Sequence, residues 1–265
     1  MNHFIEIGYD ESDRVWVTIH SGSRSIGHKC ATRYMALASE SDKAKEGNYG
    51  FDTNDEDGML YILDMNFCLE FALENRKRMM KRVVRDIQHY LKGNKGVNWE
   101  QLINRNHNHA EYNYKLDAWI HRKGANDASD GVTGYVPGNM RDGGCVVIGK
   151  GNPDSLNSSS HGAGRVLSRT KAKEQLSLDS FKQQMVGIVA KVDKGTLDES
   201  PKAYKDIFEV IKEQNELIDV IAWVKPIINI KGAGRASRNS KTKTKQAQLN
   251  KIKEQEAMAQ LNDCL

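Results

Sequence analysis

Helix and strand patterns follow one another along the chain without a regular alternation, and this irregular order limits the folds that it can adopt. Strand patterns occur at residues 14–20, 118–123, 145–149 and 219–231. The spacing of apolar side chains predicts helices over about 66–91, 181–192 and 202–218. A doubly wound parallel sheet requires strands and helices in alternation, so the order predicts an α+β fold with mixed sheets and packed helices.

The composition changes near residue 232. Residues 1–232 contain every helix and strand pattern and are predicted to form one domain, whereas residues 233–265 are predicted to be an appended basic, polar tail. From Lys231 to Lys253 the chain carries Lys and Arg but no Asp or Glu. Such a local excess of positive charge favours RNA or DNA as a partner, and a solvated tail without a partner explains it equally well.

The overall composition indicates a soluble protein of the cytoplasm. The chain has 265 residues, of which 38% are hydrophobic and 28% charged. Its apolar stretches are shorter than the ~20 residues that a membrane helix needs, and acids stand where a signal peptide would have an apolar core. The cysteines form no CxxC pair and are expected to be free thiols. We therefore expect no membrane partner.

The stretch 157–171, "NSSSHGAGRVLSRTK", surrounds one histidine, His161, with small residues. Small neighbours let a bulky, charged ligand approach the imidazole closely, and the following Arg165 and Arg169 favour a ligand that carries phosphate. A surface loop with an inert histidine is the alternative.

Further histidines at positions 3, 20 and 107 have suggestive neighbours but form no local metal motif such as HExxH. Neutral imidazole suits Mn, Zn, Fe or Cu, and metal ligands can come from distant segments. The spacing alone does not decide between a metal site built from His3, His20 and His107 and a separate structural role for each histidine.

Several segments, in their order along the chain, resemble the RtcB family of RNA-splicing ligases. They include "NHFIEI", "RVWVTIHSGSRSIGH", "HNHAE", "GKGNPDSLNSSSHGAGRVLSRTKA", "ESPKAYKDI" and "VKPIINIKG", and they run from Asn2 to Gly232. The resemblance implies an RtcB-like catalytic domain over 1–232 and a ligase that depends on GTP and Mn²⁺. Such an enzyme joins an RNA 3′-phosphate or 2′,3′-cyclic phosphate end to a 5′-hydroxyl end through a histidine–GMP intermediate, in tRNA splicing or repair of cleaved RNA.

The resemblance also implies roles for individual residues. His161 matches the nucleophile, and Gly162, Ala163 and Gly164 let the backbone close around the phosphates. The implied metal ligands are His3, His20 and His107. Asn2 resembles a phosphate contact, and the residues that resemble a guanosine pocket are Glu6, Tyr204 and Lys231. Further cations that resemble phosphate contacts are Arg24, Arg122, Lys123 and Arg165.

One departure from the family concerns the metal. The family carries an additional N-terminal segment with an Asp and a Cys that ligate manganese, and this sequence begins where that segment should have ended. We therefore expect an N-terminally incomplete fold that needs a separate N-terminal ligase fragment, with archease as a further helper. Two alternatives stay open, namely a catalytically degenerate RNA- or nucleotide-binding protein and a metal-dependent phosphohydrolase.

Overall fold

The computed structural model describes residues 3–91 and 96–232, so Asn2 and the tail predicted over 233–265 lie outside the described residues. The α-helices within these ranges are α1 (Arg24–Ala38), α2 (Glu56–Tyr90), α3 (Arg169–Gln175), α4 (Leu178–Gln184) and α5 (Ile207–Lys212). The strands are β1 (Phe4–Tyr9), β2 (Val15–His20), β3 (Asn108–Asn113), β4 (Ala118–Lys123), β5 (Ala125–Asp127), β6 (Thr133–Pro137), β7 (Gly144–Gly149), β8 (Ser158–Ser160), β9 (Val189–Ala190) and β10 (Ile218–Lys231).

A six-stranded sheet with the order β2-β1-β10-β7-β6 lies at the centre, and β9 pairs with β10. The long strand β10 pairs antiparallel with β7 through its first half and with β1 through its second half. Only the short β9 runs parallel to its neighbour. The pairs β3–β4 and β5–β8 form two smaller sheets. Helices thus combine with several mainly antiparallel sheets, which confirms the predicted α+β class.

Alternate side chains of β7 enter two different parts of the core. Cys145 and Val147 pack with Ile207 of α5 on one face of the sheet. Val146 points to the other face and packs with Val224 of β10. This period of two is the geometry of an extended strand, and full burial of each such apolar side chain contributes roughly 1.5–3 kcal/mol. The central sheet is therefore fixed from both faces.

Helices α1 and α2 pack through an aromatic cluster. Tyr34 is buried, its ring lies edge-on to those of Phe51 and Tyr61, and its hydroxyl donates to Asp64 Oδ2 at 2.8 Å. Other apolar side chains of α2 remain in solvent, among them Leu63 at 64% exposure and Phe67 at 60%. A helix that shows this much apolar surface is typical of one that contacts a further partner.

Several predicted element boundaries differ from the structure. α2 begins at Glu56, well before residue 66, and α1 is a helix that the apolar spacing did not predict. The helix predicted over 181–192 ends at Gln184, because Gly187 takes a φ of 87° and the chain then joins the sheet as β9. The helix predicted over 202–218 begins only after Asp206, whose side chain accepts from the Phe208 amide as an N-cap.

None of the helices in residues 3–91 and 96–232 has the length and apolar character that crossing a bilayer would require.

Candidate active site

Three adjacent strands place the predicted nucleotide and metal residues on one face of the sheet. Phe4 of β1 lies opposite His20 of β2 and opposite Lys231 of β10. Two residues along β1, Glu6 lies opposite Asn229. Directly opposed residues of antiparallel strands project to the same face, and so do residues two apart on one strand. The alternation of residues 14–20, which sets His20 at a strand end, is therefore confirmed.

The four histidines singled out from the sequence come together at the end of β2. The rings of His20 and His107 meet edge to face with their centroids 5.0 Å apart, and the rings of His107 and His161 stack at the same distance. His3 lies against the backbone of His20. The nucleophile and the metal ligands implied by the resemblance therefore occupy one cluster, although their segments are far apart in sequence.

Burial favours the uncharged form of three of these imidazoles, those of His3, His20 and His107. Desolvation, with smaller contributions from the neighbouring imidazoles, lowers the pKa of His20 to about 3. Desolvation and the nearby His161 lower the pKa of His107 to about 4. Burial and Arg24 also lower the pKa of His3. A neutral imidazole has a lone pair to offer, which is the form that binds a metal ion.

The donor chemistry of the cluster fits a divalent cation. The Nδ1 atom of His3 is buried and has no hydrogen-bond partner, which is costly for a ring nitrogen unless a ligand satisfies it. The imidazoles pack ring against ring, and across the described part of the chain no group of three His, Cys, Asp or Glu side chains is arranged so that it could hold a metal ion. The residues present thus supply neutral nitrogen donors but no anionic ligand.

The turn that carries His161 is anchored on both sides. Gln214, which follows α5, accepts from the Ser160 amide at 2.7 Å and donates to the Ser160 hydroxyl at 2.8 Å. The Ala163 amide donates to the Pro137 carbonyl at 2.9 Å, so Ala163 holds the turn in place and its N–H is already engaged. Gly164 has a φ of +77°, and a Cβ added there would meet nothing within 4 Å. The backbone near the imidazole is therefore open at Gly164.

Gly124 supports the His161 ring, and sequence reasoning did not single it out. Its φ is +69°, and a Cβ built on it would lie 3.0 Å from Cε1 of the imidazole. Its amide donates to the His107 carbonyl and to Asn108 Oδ1, both at 2.8 Å. A glycine is needed here because the backbone passes directly under the ring. Residues 122–144 are rich in glycine, which is typical of backbone that approaches another group closely, but this richness does not distinguish position 124.

Arg76 of α2 was also missed. Its guanidinium donates to the Ser21 carbonyl at 3.0 Å, to Asn104 Oδ1 at 2.7 Å and to Asn106 Oδ1 at 2.8 Å. Ser21 follows His20, and Asn106 precedes His107. The long helix therefore ties two histidine-bearing segments together through one rigid, planar cation.

The predicted guanosine pocket contains a buried acid. Glu6 accepts from Asn229 Nδ2 at 2.6 Å and from the Tyr135 hydroxyl at 3.4 Å. Burial raises the pKa of Glu6 to about 7, against the opposing effects of Asn229 and Lys231. A buried carboxyl group with a strongly shifted pKa is typical of a functional site.

Tyr204 and Arg165 form the second part of this pocket. The Arg165 guanidinium lies 4.8 Å above the Tyr204 ring and donates to its hydroxyl at 3.0 Å. Lys231 is buried, with its ammonium 4.6 Å from the centre of the Phe4 ring. Because Phe4 also contacts His20, with ring centroids 5.4 Å apart, it connects Lys231 to the histidines.

Arg122 has a structural role here. It is 4% exposed and donates to Glu111, to the Ser158 hydroxyl and to the Leu156 carbonyl. These protein groups hold its guanidinium inside the fold, so the expected contact with RNA or nucleotide phosphate is not supported. Arg24 and Lys123, by contrast, are exposed.

A cavity of about 720 Å³ opens beside the histidines and extends between β2 and α2. His20, His107 and His161 lie at one end of it. The rest of the lining is rich in apolar side chains, including Val17, Met80, Val84, Ile87, Leu91, Val97 and Trp99. β2 is the last strand of its sheet, so among the described residues it has β1 as its only strand partner.

A cluster of imidazoles thus lies beside a glycine turn, and a buried acid and a lysine with a buried side chain lie on the neighbouring strands. The family model described as tRNA-splicing ligase RtcB matches residues 1–232, and the chain belongs to this family.

Curated relatives give the same result. The RNA-splicing ligase RtcB of Escherichia coli (strain K12) is 36% identical over an alignment of 251 residues, and the match covers 87% of this chain and 59% of the relative. The tRNA-splicing ligase RtcB of Nanoarchaeum equitans is 30% identical, with 87% of this chain and 58% of the relative covered. The chain thus spans about three-fifths of the length of these relatives.

Proposed function

We propose that this chain is the histidine-bearing part of an RNA ligase that uses GTP and Mn²⁺. The ligase joins an RNA 3′-phosphate or 2′,3′-cyclic phosphate end to a 5′-hydroxyl end, in tRNA splicing or in repair of cleaved RNA. The observation that carries the proposal is the stacking of His161 on His107 within one cluster of histidines. Membership of the tRNA-splicing ligase RtcB family supports it.

In this proposal His161 is the nucleophile. An imidazole nitrogen attacks the α-phosphorus of GTP, and a nitrogen–phosphorus bond forms as the bond to pyrophosphate breaks. The histidine–GMP then transfers GMP to the RNA 3′-phosphate. The 5′-hydroxyl displaces GMP from the activated end and forms the phosphodiester, and a cyclic phosphate is opened by hydrolysis beforehand. The open backbone at Gly164 leaves room for phosphates beside the ring.

His3, His20 and His107 would hold the manganese ion, because they offer neutral nitrogen donors and one of them has an orphaned Nδ1. When bound, Mn²⁺ would supply positive charge to the oxygens of the phosphoryl group being transferred. Arg76 holds two of these histidine-bearing segments close together through its hydrogen bonds to Ser21 and Asn106.

Glu6 would recognise guanine. Its two carboxylate oxygens can accept the N1 and N2 hydrogens of guanine, which adenine does not present in that arrangement. Tyr204, Lys231 and Arg165 would surround the rest of the nucleotide. Asn2 and Ala163 complete the proposed nucleotide set, with Ala163 acting through the shape of the turn since its amide is engaged. Exposed Arg24 and Lys123 would meet RNA phosphates.

The activity of the whole ligase would require the part of the family fold that this chain does not span. We propose that this part, which an N-terminal fragment of a relative would supply in an assay, brings the anionic metal ligands that the histidine cluster lacks, and that a helper such as archease assists turnover. The apolar cavity between β2 and α2 adjoins the histidines and is the surface that such a fragment would cover.

Labelling with GTP that carries radioactive phosphorus at the α position tests the proposal. We expect the chain, incubated with Mn²⁺ and the fragment, to acquire covalent label that is acid-labile, as a phosphoramidate is. His161→Ala should abolish the label. His28→Ala is the matched control, because His28 is exposed on α1 and should label as the wild type does.

Absence of label in the wild type under all these conditions, with GTP still bound, would instead support the degenerate binding protein. Release of phosphate from RNA ends without any covalent guanylate would support the phosphohydrolase. Label that persists in His161→Ala would exclude His161 as the nucleophile.

A further inference from the structure

Glu199 is a buried carboxylate on which several predicted nucleotide contacts converge. Its side chain is 6% exposed, and it accepts from the Tyr204 hydroxyl at 2.7 Å through Oε2. The Lys231 ammonium lies 3.3 Å from the same oxygen. The other oxygen, Oε1, accepts from Arg169 Nη1 at 2.8 Å, with Arg165 Nη1 at 3.9 Å. One acid thus contacts groups from three separate segments.

The backbone that carries Glu199 is rigid. Glu199 ends one 3₁₀ turn (Leu197–Glu199), and Pro201 begins the next (Pro201–Ala203). Ser200 between them is 1% exposed. Proline fixes its own φ and restricts the residue before it, so the carboxylate has little freedom to move.

Lys231 depends on this carboxylate for its charge. Its side chain is 8% exposed, and burial lowers its pKa while Glu199 is the largest influence that raises it. The Phe4 ring is its other close neighbour. A buried ammonium without an anion loses several kcal/mol of solvation and tends to give up its proton. The acid therefore sets both the position and the charge of the lysine.

We propose that Glu199 is a positioning residue for the guanosine nucleotide, which it does not touch itself. By sharing Oε2 between the Tyr204 hydroxyl and the Lys231 ammonium, it fixes the separation and orientation of two groups that face the nucleotide. The inference rests on the proposed function, since it takes Tyr204 and Lys231 as nucleotide contacts. It adds a role for Glu199, which begins the segment "ESPKAYKDI" but for which the family resemblance implied no role.

The chain offers a matched control next to Glu199. Asp198 has the same 6% side-chain exposure and pairs with Arg169 at 2.5 Å and with Lys173 at 3.4 Å. Its side-chain contacts among the described residues do not include Tyr204 or Lys231. Asp198→Asn and Glu199→Gln each remove one buried negative charge beside Arg169, but only Glu199→Gln disturbs the two nucleotide contacts.

The experiment measures GTP binding by calorimetry with the full chain, Mn²⁺ present, for the wild type and both variants. We expect Glu199→Gln to raise the dissociation constant by about tenfold or more, the loss typical of a buried hydrogen bond to a charged group. Asp198→Asn should raise it far less, although both variants should lower the melting temperature.

A double-mutant cycle separates positioning from general destabilisation. In a Lys231→Met background, Glu199→Gln should weaken GTP binding much less than it does in the wild type, since the two residues act as a unit, whereas the effect of Asp198→Asn should be unchanged. Equal effects of both substitutions on GTP affinity, or additivity of Glu199→Gln with Lys231→Met, would overturn the proposal while leaving the proposed function intact. A wild-type chain that binds no GTP, with or without the N-terminal fragment, would overturn both.

Discussion

Glu6, the proposed guanine contact, affects the stability of the fold through its own protonation. The folded protein raises the pKa of this carboxyl from 4.5 to about 7, mainly by burial. Between these two pH values the folded state keeps the proton and the unfolded chain releases it. The free energy of unfolding therefore falls as the pH rises from about 4.5 to 7, by about 3 kcal/mol for this group, and stays at that lower level above pH 7.

We predict that Glu6→Gln is more stable than the wild type at pH 8, because the amide needs no deprotonation, and that the difference shrinks towards pH 4.5. The same substitution should abolish selective binding of GTP over ATP, since an amide cannot accept both guanine hydrogens. Urea unfolding at several pH values measures the first effect. Glu216→Gln, at an exposed position, is the control and should show neither effect. A variant that is less stable than the wild type at pH 8 would contradict the role assigned to burial.

Gly124 gives a prediction with a closely matched control. Gly124 and Gly131 have φ values of +69° and +74°, so alanine at either position is strained by roughly 1 kcal/mol. At Gly124 the new Cβ would also lie 3.0 Å from the His161 ring, whereas at Gly131 it would meet nothing within 4 Å. We expect both variants to lose similar stability in thermal unfolding, but only Gly124→Ala to lose covalent labelling at His161. Equal labelling of the two variants would show that the ring does not depend on this close approach.

These residues also show what the sequence could reveal at this scale. His20 was placed correctly because alternation along one strand is a local pattern. The spacing alone could not predict that the histidines lie together, because this depends on how distant segments pack. Gly124, Arg76 and Glu199 act through such packing and have no local signature of their own. Glu199 begins the segment "ESPKAYKDI", but only its contacts with Tyr204 and Lys231 in the fold give it a role.

At the scale of elements, strands with strong apolar patterns were predicted with nearly the right bounds. β4 runs over Ala118–Lys123 as expected, and β10 extends the predicted strand by one residue at its start. The predicted helices were too long where a tertiary contact determined the local structure. Residues 189–190 carry a helical pattern, yet they pair with β10 and form a strand. Local propensity is a weak preference that such pairing readily overrides.

α2 was found from its periodicity, but its function within the fold was not. Its apolar positions over 66–91 predicted a helix, and one of them, Phe67, lies in solvent, as does Leu63 before the predicted start. The sequence does not show which groups the Arg76 side chain contacts. Its guanidinium donates to the Ser21 carbonyl and to Asn106 Oδ1, which lie in two different loops. The helix therefore acts as a support for the histidine cluster, besides carrying an apolar face.

At the scale of the whole molecule, the edge strand β2 and the apolar cavity lie next to each other. The chain spans 59% of the Escherichia coli relative. β2 is an edge strand, and an edge of this kind can accept a further strand from a partner. The adjoining cavity has more apolar than polar lining, which suits a protein segment better than a nucleic acid. Together they indicate where the remainder of the family fold would dock.

We predict that the part of the Escherichia coli relative that this chain does not span will bind along β2 and increase GTP labelling. Trp99 lines the cavity and is 43% exposed, so Trp99→Asp should leave the chain folded but weaken this association, because a charge would be buried against apolar groups. We expect a loss of about 2 kcal/mol or more, measured as the concentration of fragment needed for half-maximal labelling. Tyr114→Asp is the control, since Tyr114 is 89% exposed and does not line the cavity. Slower hydrogen exchange of the β2 amides on addition of the fragment should accompany binding, and equal stimulation of both variants would move the docking surface elsewhere.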